Sequence, residues 1–420
     1  MDAGVNDILI VGAGPVGAVC ALALQQQGVN ARVFEAQPAD ARADTRTLAL
    51  SHGARLILDR LGVWSRLEDV TPITRIHVSQ RGALGVARLA AEDVAVPALG
   101  YVLSYAVLTA ALKQALAESR IDVEYGVAMA RIESGSASAT LHTADGRALT
   151  APLVVVADGG RGETAPSPRF ERDYDQMAVV CEVQTELPHG NQAFERFTPE
   201  GPAALLPKDD RYAPQGDSDF LRAEARERSY ALVWTASSAG AQRIAALPDD
   251  EFLAALYRHF GGRQGLFMQA GPRKTFPLKL AWTGSEAADR VVRIGNAAQT
   301  LHPVAGQGFN IGLRDAWELA ALCGETPHEL NQRGDTLHES SQRGDTAAGE
   351  IGSATMLAAY ARGRRADVLG GVGFTDFLVR VFSNDIPPLR HARGLGLMAL
   401  EALPPLKRFV ARRMIFGARG

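Results

Sequence analysis

The chain has 420 residues, a hydrophobic fraction of 46%, a charged fraction of 22% and a formal net charge of −3. This length predicts more than one domain, and the composition is that of a globular protein with no reason to bind nucleic acid. Three distant cysteines (Cys20, Cys181, Cys323) and unclustered histidines predict neither a disulfide framework nor a metal site. The opening segment MDAGVND lacks a basic signal region, so we expect a cytoplasmic protein.

The first motif is a glycine-rich turn between a predicted strand and a predicted helix. The apolar stretch 7–11 is followed by Gly12, Gly14 and Gly17, then by a helical pattern and a second strand that ends at Glu35. In such a unit the glycines allow the turn, the approach of a pyrophosphate and close helix–strand packing. Glu35 stands where a carboxylate accepts hydrogen bonds from ribose hydroxyls. The unit predicts a bound dinucleotide and leaves NAD and FAD open.

Two later features extend this prediction along the chain. Arg46 follows the unit, and from the residues alone an ordinary surface charge is the favoured interpretation. The apolar strand Leu153–Ala157 runs into Asp158 and Gly159. A carboxylate at that end of a buried strand lies where open α/β sheets bind ligands.

The patterning predicts a mixed α/β (α+β) fold with a discontinuous Rossmann-like domain, a β-sheet substrate domain and a C-terminal helical segment. Alternating, strand-like residues dominate the predicted substrate domain. The predicted boundaries are 1–72, 98–175 and 278–365 for the dinucleotide domain, 73–97 and 176–277 for the sheet domain, and 366–420 for the helical segment.

The third motif, Ile294–Asp315, joins a predicted strand to a predicted helix through a long loop. Two glycines just before a helix expose backbone N–H groups beside the positive end of its dipole, which favours an anion. The residues singled out in this motif are Gly295, Asn296, His302, Pro303, Gly306, Gln307, Gly308, Phe309 and Asn310.

The last quarter of the chain contains two unusual patterns. Residues 325–350 include a ten-residue near-duplication that is polar, so we expect a flexible insertion without a function of its own. Beyond Pro405, apolar Leu406 and Phe409 alternate with basic residues on a predicted helix. Such a helix is typical of binding to a membrane surface or a partner, and a helix docked on its own domain is equally compatible with it.

Together, GAGPVG with Glu35, the ADG at 157–159 and IGNAA…HPVAGQGFN resemble FAD monooxygenases of the para-hydroxybenzoate hydroxylase type. RTLALS at 46–51, AFERFTPEGPAALLP at 193–207 and the late motif are similar to the ubiquinone-biosynthesis hydroxylases among them. The resemblance covers about residues 8–323 and, more loosely, 360 to the end. Two features depart from the family pattern: Asn296 stands where most members have an aspartate, and the ADG runs into Gly160, Arg161 and Gly162 without the serine that many members have.

The resemblance implies roles for individual residues. The ADP half of FAD would be held by Gly12, Gly14, Gly17 and Glu35. The remaining FAD contacts would come from Arg46, Asp158, Gly159, Gly295 and Asn296 along the phosphates and ribityl chain, and from Pro303, Gly306, Gln307, Gly308, Phe309 and Asn310 at the isoalloxazine. His302 and Pro303 are the candidate catalytic residues, although a structural role for His302 is the favoured interpretation.

The resemblance also implies an activity. NAD(P)H would reduce FAD, O₂ would add at flavin C4a, and the hydroperoxide would hydroxylate a polyprenyl phenol such as 2-octaprenyl-6-methoxyphenol. The membrane surface and other ubiquinone-biosynthesis proteins would then be partners. Two alternatives stay open: a small soluble phenol as substrate, or a non-catalytic FAD-binding component of a biosynthetic assembly.

Overall fold

The computed structural model describes residues 7–41, 44, 46–82, 85–160, 170–209, 227–283, 290–301, 306–324, 350–382 and 386–417. The predicted insertion lies almost wholly outside the described residues, and so do His302 and Pro303.

Within those residues the strands are β1 (Ile8–Val11), β2 (Ala31–Glu35), β3 (Thr47–Ser51), β4 (Thr71–Ile73), β5 (Arg75–Gln80), β6 (Val86–Ala90), β7 (Gly100–Ser104), β8 (Asp122–Tyr125), β9 (Met129–Ser134), β10 (Ala139–Thr143), β11 (Ala148–Ala151), β12 (Val154–Val156), β13 (Phe170–Thr185), β14 (Gln192–Thr198), β15 (Gly201–Pro207), β16 (Ser229–Ser237), β17 (Phe267–Ala270), β18 (Lys274–Trp282), β19 (Val291–Arg293) and β20 (Gln299–Thr300). The α-helices are α1 (Pro15–Gln26), α2 (His52–Arg60), α3 (Tyr105–Glu118), α4 (Ser238–Ala246), α5 (Asp249–Phe260), α6 (Gln307–Gly324), α7 (Ala354–Phe382), α8 (Pro387–Ala402) and α9 (Pro404–Phe416).

A parallel sheet in the order β19-β12-β1-β2-β8 forms the centre of the dinucleotide-binding part. Its strands are short runs of Val, Ile and Leu because both faces are covered, which is the usual condition of parallel strands. Helices α1, α3 and α6 cover one face, and the small antiparallel sheet β9–β11 covers the other. The carboxyl ends of β1, β2, β12 and β19 therefore share one edge.

A large sheet in the order β20-β18-β13-β16-β15-β14-β5-β6 forms the second part, and β17 also pairs with β13. Helices α4 and α5 pack on one face of it around Trp234 and Phe252. The predicted fold class is confirmed by this combination of a parallel sheet, a second sheet and C-terminal helices. Aromatic residues of a sheet domain are usually core residues, but Phe276 is 37% exposed, because it lies on β18 near the sheet edge.

The C-terminal helices close the molecule against both sheets. Helix α7 is 29 residues long and runs through the predicted boundary at residue 366, so the domain division stays a prediction. Helix α9 docks through Ala411 and Ile415. Leu406 and Phe409 of the same helix are exposed, so binding to a membrane surface or a partner stays a prediction for this face. Among the described residues, no helix is long and apolar enough to cross a membrane.

Candidate functional site

The first motif forms a tight turn that only glycine can build. Gly12 has φ +102°, and a Cβ there would lie 2.6 Å from the carbonyl oxygen of Ala157. A Cβ on Gly17 would lie 1.9 Å from the carbonyl oxygen of Gly12, so helix α1 packs directly against the turn. The first and third glycines of the fingerprint are thus sterically required.

The second glycine leaves the start of α1 open. Gly14 is the N-cap of α1, and the helix has no side-chain cap. A Cβ on Gly14 would meet only the hydroxyl of Tyr105, at 3.9 Å. Backbone N–H groups at the helix start therefore face free space, as a pyrophosphate requires.

Glu35 closes the turn from the neighbouring strand. Its carboxylate accepts hydrogen bonds from the backbone N–H of Ala13 at 2.8 Å and of Gln37 at 3.0 Å. Each bond uses one lone pair of one oxygen, so acceptor capacity remains on both oxygens for ribose hydroxyls. The carboxylate is pre-oriented beside Gly12–Gly14 by these two bonds.

The ADG turn and the late motif meet at the same edge. The Asp158 carboxylate accepts a hydrogen bond from the N–H of Gly160 at 2.8 Å. Gly160 has φ +73°, and a Cβ there would lie 3.0 Å from the carbonyl oxygen of Asn296. The glycine at this position allows the two loops to touch.

The late motif packs against α1 through glycines. A Cβ on Gly295 would lie 3.1 Å from a methyl of Val16, and one on Gly312 would lie 3.0 Å from the other methyl of Val16. Strand β19, helix α1 and helix α6 consequently approach each other closely at the point where the early and late motifs meet.

Arg46 lies at the mouth of the turn. Its guanidinium is 5.0 Å from the ring centroid of Tyr105, whose hydroxyl is the neighbour of Gly14. Arg46 also pairs with Asp44 at 2.6 Å on the exposed surface. A phosphate contact of Arg46 stays a prediction, and it would compete with the ion pair to Asp44.

The side chain of Asn310 is used entirely by the protein. Its oxygen accepts from the N–H of Ser51 at 2.8 Å, and its amide donates to the carbonyl oxygens of Ala49 at 3.2 Å and Gly306 at 2.8 Å. Asn310 is buried. It ties the first turn of α6 to β3, so the side chain of Asn310 has a structural role in this turn.

The buried carboxylate of Asp315, whose role was not predicted from the sequence, forms hydrogen bonds that hold the late motif. Asp315 accepts from the N–H of Gly295 at 3.0 Å and from the side chain of Gln299 at 2.7 Å. Its other oxygen accepts from Arg364 at 2.7 Å. Asn296 itself is exposed. The negative charge of this loop therefore lies beneath it at Asp315, and a carboxylate at position 296 is not needed to hold the loop.

Arg364 is held in a charged network between α6 and α7. It pairs with Asp315, with Glu318 at 3.1 Å and with Asp367 at 2.9 Å, while Arg314 pairs with Asp367 at 2.7 Å. Burial alone would lower the pKa of Arg364, but these carboxylates raise it above its usual value. The guanidinium is permanently charged and compensated.

An apolar cavity lies at the start of α6. Its walls come from the end of β3, from the large sheet and from α9. The lining residues are Ala49, Leu50, Ser51, Ile73, Ile76, Leu89, Leu99, Gly100, Gly306, Gln307, Asn310, Ala411, Met414 and Ile415. None of these is titratable, so within the part of the chain that the structure describes the cavity lining contains no general acid or base. The contribution of α9 was missed, since periodicity does not tell what a helix packs on.

These residues fit a dinucleotide cofactor whose phosphates lie at the start of α1. The structure brings Gly12, Gly14, Gly17, Glu35, Asp158 and Gly295 to one sheet edge, with Arg46 and the first turn of α6 close by. Direct contacts of these residues with a cofactor stay predictions. Among the described residues, no group of three His, Cys, Asp or Glu side chains comes together as metal ligands would.

The chain is similar to known proteins along nearly its whole length. It matches the FAD binding domain family over residues 6–343. It is 34% identical to ubiquinone hydroxylase UbiL of Rhodospirillum rubrum over 97% of this chain and 89% of that protein. It is 31% identical to 3-demethoxyubiquinol 3-hydroxylase of Escherichia coli over 96% of each chain.

A solved structure with the same fold is HpxO of Klebsiella pneumoniae, complexed with FAD and uric acid. It matches with a TM-score of 0.68 at 17% identity, covering 99% of this chain and 98% of that one. At this identity the likeness is one of fold.

Proposed function

Because the chain belongs to the FAD-dependent hydroxylases of ubiquinone biosynthesis, we propose that it hydroxylates a polyprenyl phenol with NAD(P)H and O₂ as co-substrates. FAD is the cofactor and monooxygenation the class of reaction in this family. The proposal concerns the phenol, its prenyl tail and the reductant.

Bound FAD would supply electron storage and the activation of O₂. The chain's own groups bind and orient: N–H groups at the start of α1 face the pyrophosphate, and Glu35 accepts from ribose hydroxyls. The N-terminal end of α6 would stabilise negative charge on the reduced isoalloxazine. The apolar lining beside it excludes water from the reacting centre.

The observation that carries the proposal is the apolar cavity where α6 begins. A ring placed there would lie beside Gly306 and Gln307, and it would contact side chains such as Ile76, Leu89 and Met414. The cavity volume is ≈ 70 Å³, smaller than the roughly 150 Å³ of a cavity that binds benzene. We therefore expect side chains of the lining, which include Met414 and Ile415 of α9, to shift when a phenol binds.

Exposed apolar side chains on α8 and α9 favour a lipid-borne substrate. Leu395 is 65% exposed and Phe409 is 62% exposed, and Leu403 and Leu406 are exposed between them in sequence. Arg408 and Arg412 are also exposed on α9. Apolar residues beside cations are the combination that binds an anionic bilayer surface. A tail entering from lipid would reach the cavity past α9.

Complementation tests the reaction. In an Escherichia coli strain lacking 3-demethoxyubiquinol 3-hydroxylase or another ubiquinone hydroxylase, expression of this chain should restore ubiquinone and remove the accumulated polyprenyl phenol. The purified protein should couple NAD(P)H oxidation to hydroxylation of a prenylated phenol. Efficient turnover of the tail-less phenol alone would support the soluble-substrate alternative. Bound FAD that no nicotinamide reduces would support the non-catalytic one.

Flotation with anionic liposomes tests the membrane contact. Leu406→Ser with Phe409→Ser should reduce the bound fraction several-fold, since two exposed apolar anchors are removed. The matched control is Leu266→Ser with Met268→Ser, which changes two residues that are equally exposed on the other part of the molecule. Equal loss in both pairs would contradict a specific role of α9.

A further inference from the structure

A second cavity lies on the opposite face of the large sheet. Along β5, Ile76 faces the apolar cavity, so the alternation of a strand directs His77 and Ser79 to the other face. On that face a cleft of ≈ 330 Å³ opens between the sheet and helices α4 and α5. The two cavities share no lining residue.

The cleft carries an excess of positive charge. Arg81, Arg243 and Arg258 line it, from the turn after β5, from α4 and from α5 respectively, and Glu200 is the one acid among its lining residues in the described part of the chain. Within that part, no ion pair joins the three arginines to a carboxylate. The protein as a whole has a net charge of −3, so this concentration of cations is local.

The electrostatic field of the cleft acts on the groups buried behind it. Arg196 lies beside Ser79, and its pKa is lowered by burial and then by the charges of Arg263 and Arg81. The pKa of His259 is lowered to about 3 by burial and by Arg196 and Arg81. The imidazole is therefore neutral near pH 7.

Two buried polar atoms at the cleft have no hydrogen-bond partner among the described residues. Nε2 of His259 and Nε1 of Trp234 are both without one, although the side chains are only 3% and 5% exposed. Their rings lie 4.8 Å apart between centroids. An indole N–H can only donate, and a neutral imidazole can donate through Nε2. Buried donors of this kind are costly unless an acceptor reaches them.

We propose that this cleft binds a phosphate-bearing small molecule of at most nucleotide size. Arginines at the rim meet the phosphate oxygens as charge-assisted donors, and the buried N–H groups of Trp234 and His259 meet acceptors deeper in the cleft. A volume of ≈ 330 Å³ is within the range of small-molecule sites, roughly 300–1,000 Å³. Because the unsatisfied donors are recessed, a small ligand reaches them and the convex surface of a protein partner does not.

Calorimetric titration of the FAD-saturated protein with inorganic pyrophosphate tests this site. FAD saturation keeps the probe away from the start of α1. The wild-type chain should bind, and Arg258→Gln or Arg243→Gln should each weaken binding about ten-fold or more, as expected for the loss of a charge-assisted hydrogen bond. NAD(P)H oxidation should be unchanged in both variants, because neither residue lies at the apolar cavity.

The matched control is Arg365→Gln, which removes one exposed positive charge from α7. It should bind pyrophosphate like the wild type. Absence of binding to the wild type, equal binding by Arg258→Gln, or an equal loss in Arg365→Gln would each overturn the proposal. An acidic peptide that bound with the same arginine dependence while pyrophosphate did not would also overturn it.

Discussion

Helix α6 is held on its two sides by different forces. Toward α1 the closest contact is steric, with Gly312 and the preceding loop residue Gly295 against the methyl groups of Val16. Toward α7 the buried ion pairs Arg364–Asp315 and Arg314–Asp367 are added to apolar packing, which includes Gly371 against Ile311. Only the second side therefore uses long charged side chains.

The difference bears on how the site is positioned. Close apolar packing sets the distance between α6 and α1 but tolerates small rotations. Charged hydrogen bonds are directional, so Asp315 can fix the Gly295 loop and α7 at once. Ionic networks are expensive to bury, and this one is explained by the orientation it imposes rather than by net stability.

Among the variants that test this comparison, removal of the Arg364 guanidinium should change the free energy of unfolding most. Arg364→Met retains much of the volume but leaves Asp315, Asp367 and Glu318 without their shared cation. We expect a loss of about 3–5 kcal/mol in the free energy of unfolding, measured by urea denaturation. Arg365→Met, one position along α7 and exposed, should change it by less than about 0.5 kcal/mol. Similar values for both variants would contradict the ionic description.

The second largest effect is expected in the first turn of α6, which contacts β3 and neither α1 nor α7 through Asn310. Asn310→Ala leaves the N–H of Ser51 buried without its acceptor, which should cost about 1–3 kcal/mol. The midpoint temperature of thermal unfolding and the affinity for FAD should both decrease, because the turn loses its link to β3. Retention of full stability would show that solvent replaces the lost acceptor.

The steric side should respond more weakly. In Gly312→Ala the added methyl would lie 3.0 Å from Val16, and overpacking of about 1–3 kcal/mol is partly offset by a helix-propensity gain of about 1 kcal/mol. Gly308→Ala is the control, since its Cβ would meet Leu301 at an ordinary 3.7 Å. Val16→Ala in the Gly312→Ala background should recover part of the stability. If the double variant recovers no stability, the contact with Val16 does not limit how closely α6 approaches α1.

The smallest effect is expected at Asn296. Its side chain is exposed, and the loop is held by Asp315 beneath it. Asn296→Asp should alter the free energy of unfolding by less than about 0.5 kcal/mol, and bound FAD measured by absorbance should stay near the wild-type level. A large gain or loss of FAD would assign this position a direct role that Asp315 does not replace.

The sequence predicted what depends on neighbours along the chain. Gly12, Gly17 and Glu35 lie within one βαβ unit, so their spacing alone indicated the turn and the acid that closes it. In helix α3, Leu108, Leu112 and Leu116 stand at helical spacing in the sequence, and all three are buried. These features are local, and a periodic pattern is sufficient to identify them.

The remaining features depend on contacts that no local pattern contains. Asp315 and Arg364 are 49 residues apart and pair only because α7 returns alongside α6. The wall that α9 gives to the apolar cavity depends on where a distant helix docks. The cationic cleft contains one arginine from each of three separate segments of the chain. In the sequence, each of these arginines alone is typical of an ordinary surface charge.

The order of the parallel sheet has a consequence for how the chain is made. Strand β12 lies between β1 and β19, with Val154 opposite both Leu9 and Val291. A ribosome adding roughly 5–20 residues per second needs tens of seconds between the emergence of β1 and of β19. During that interval an uncovered edge of Val and Ile is exposed to other nascent chains. We therefore expect the yield of soluble protein to depend on chaperones and on translation speed more than the stability of the finished fold would indicate.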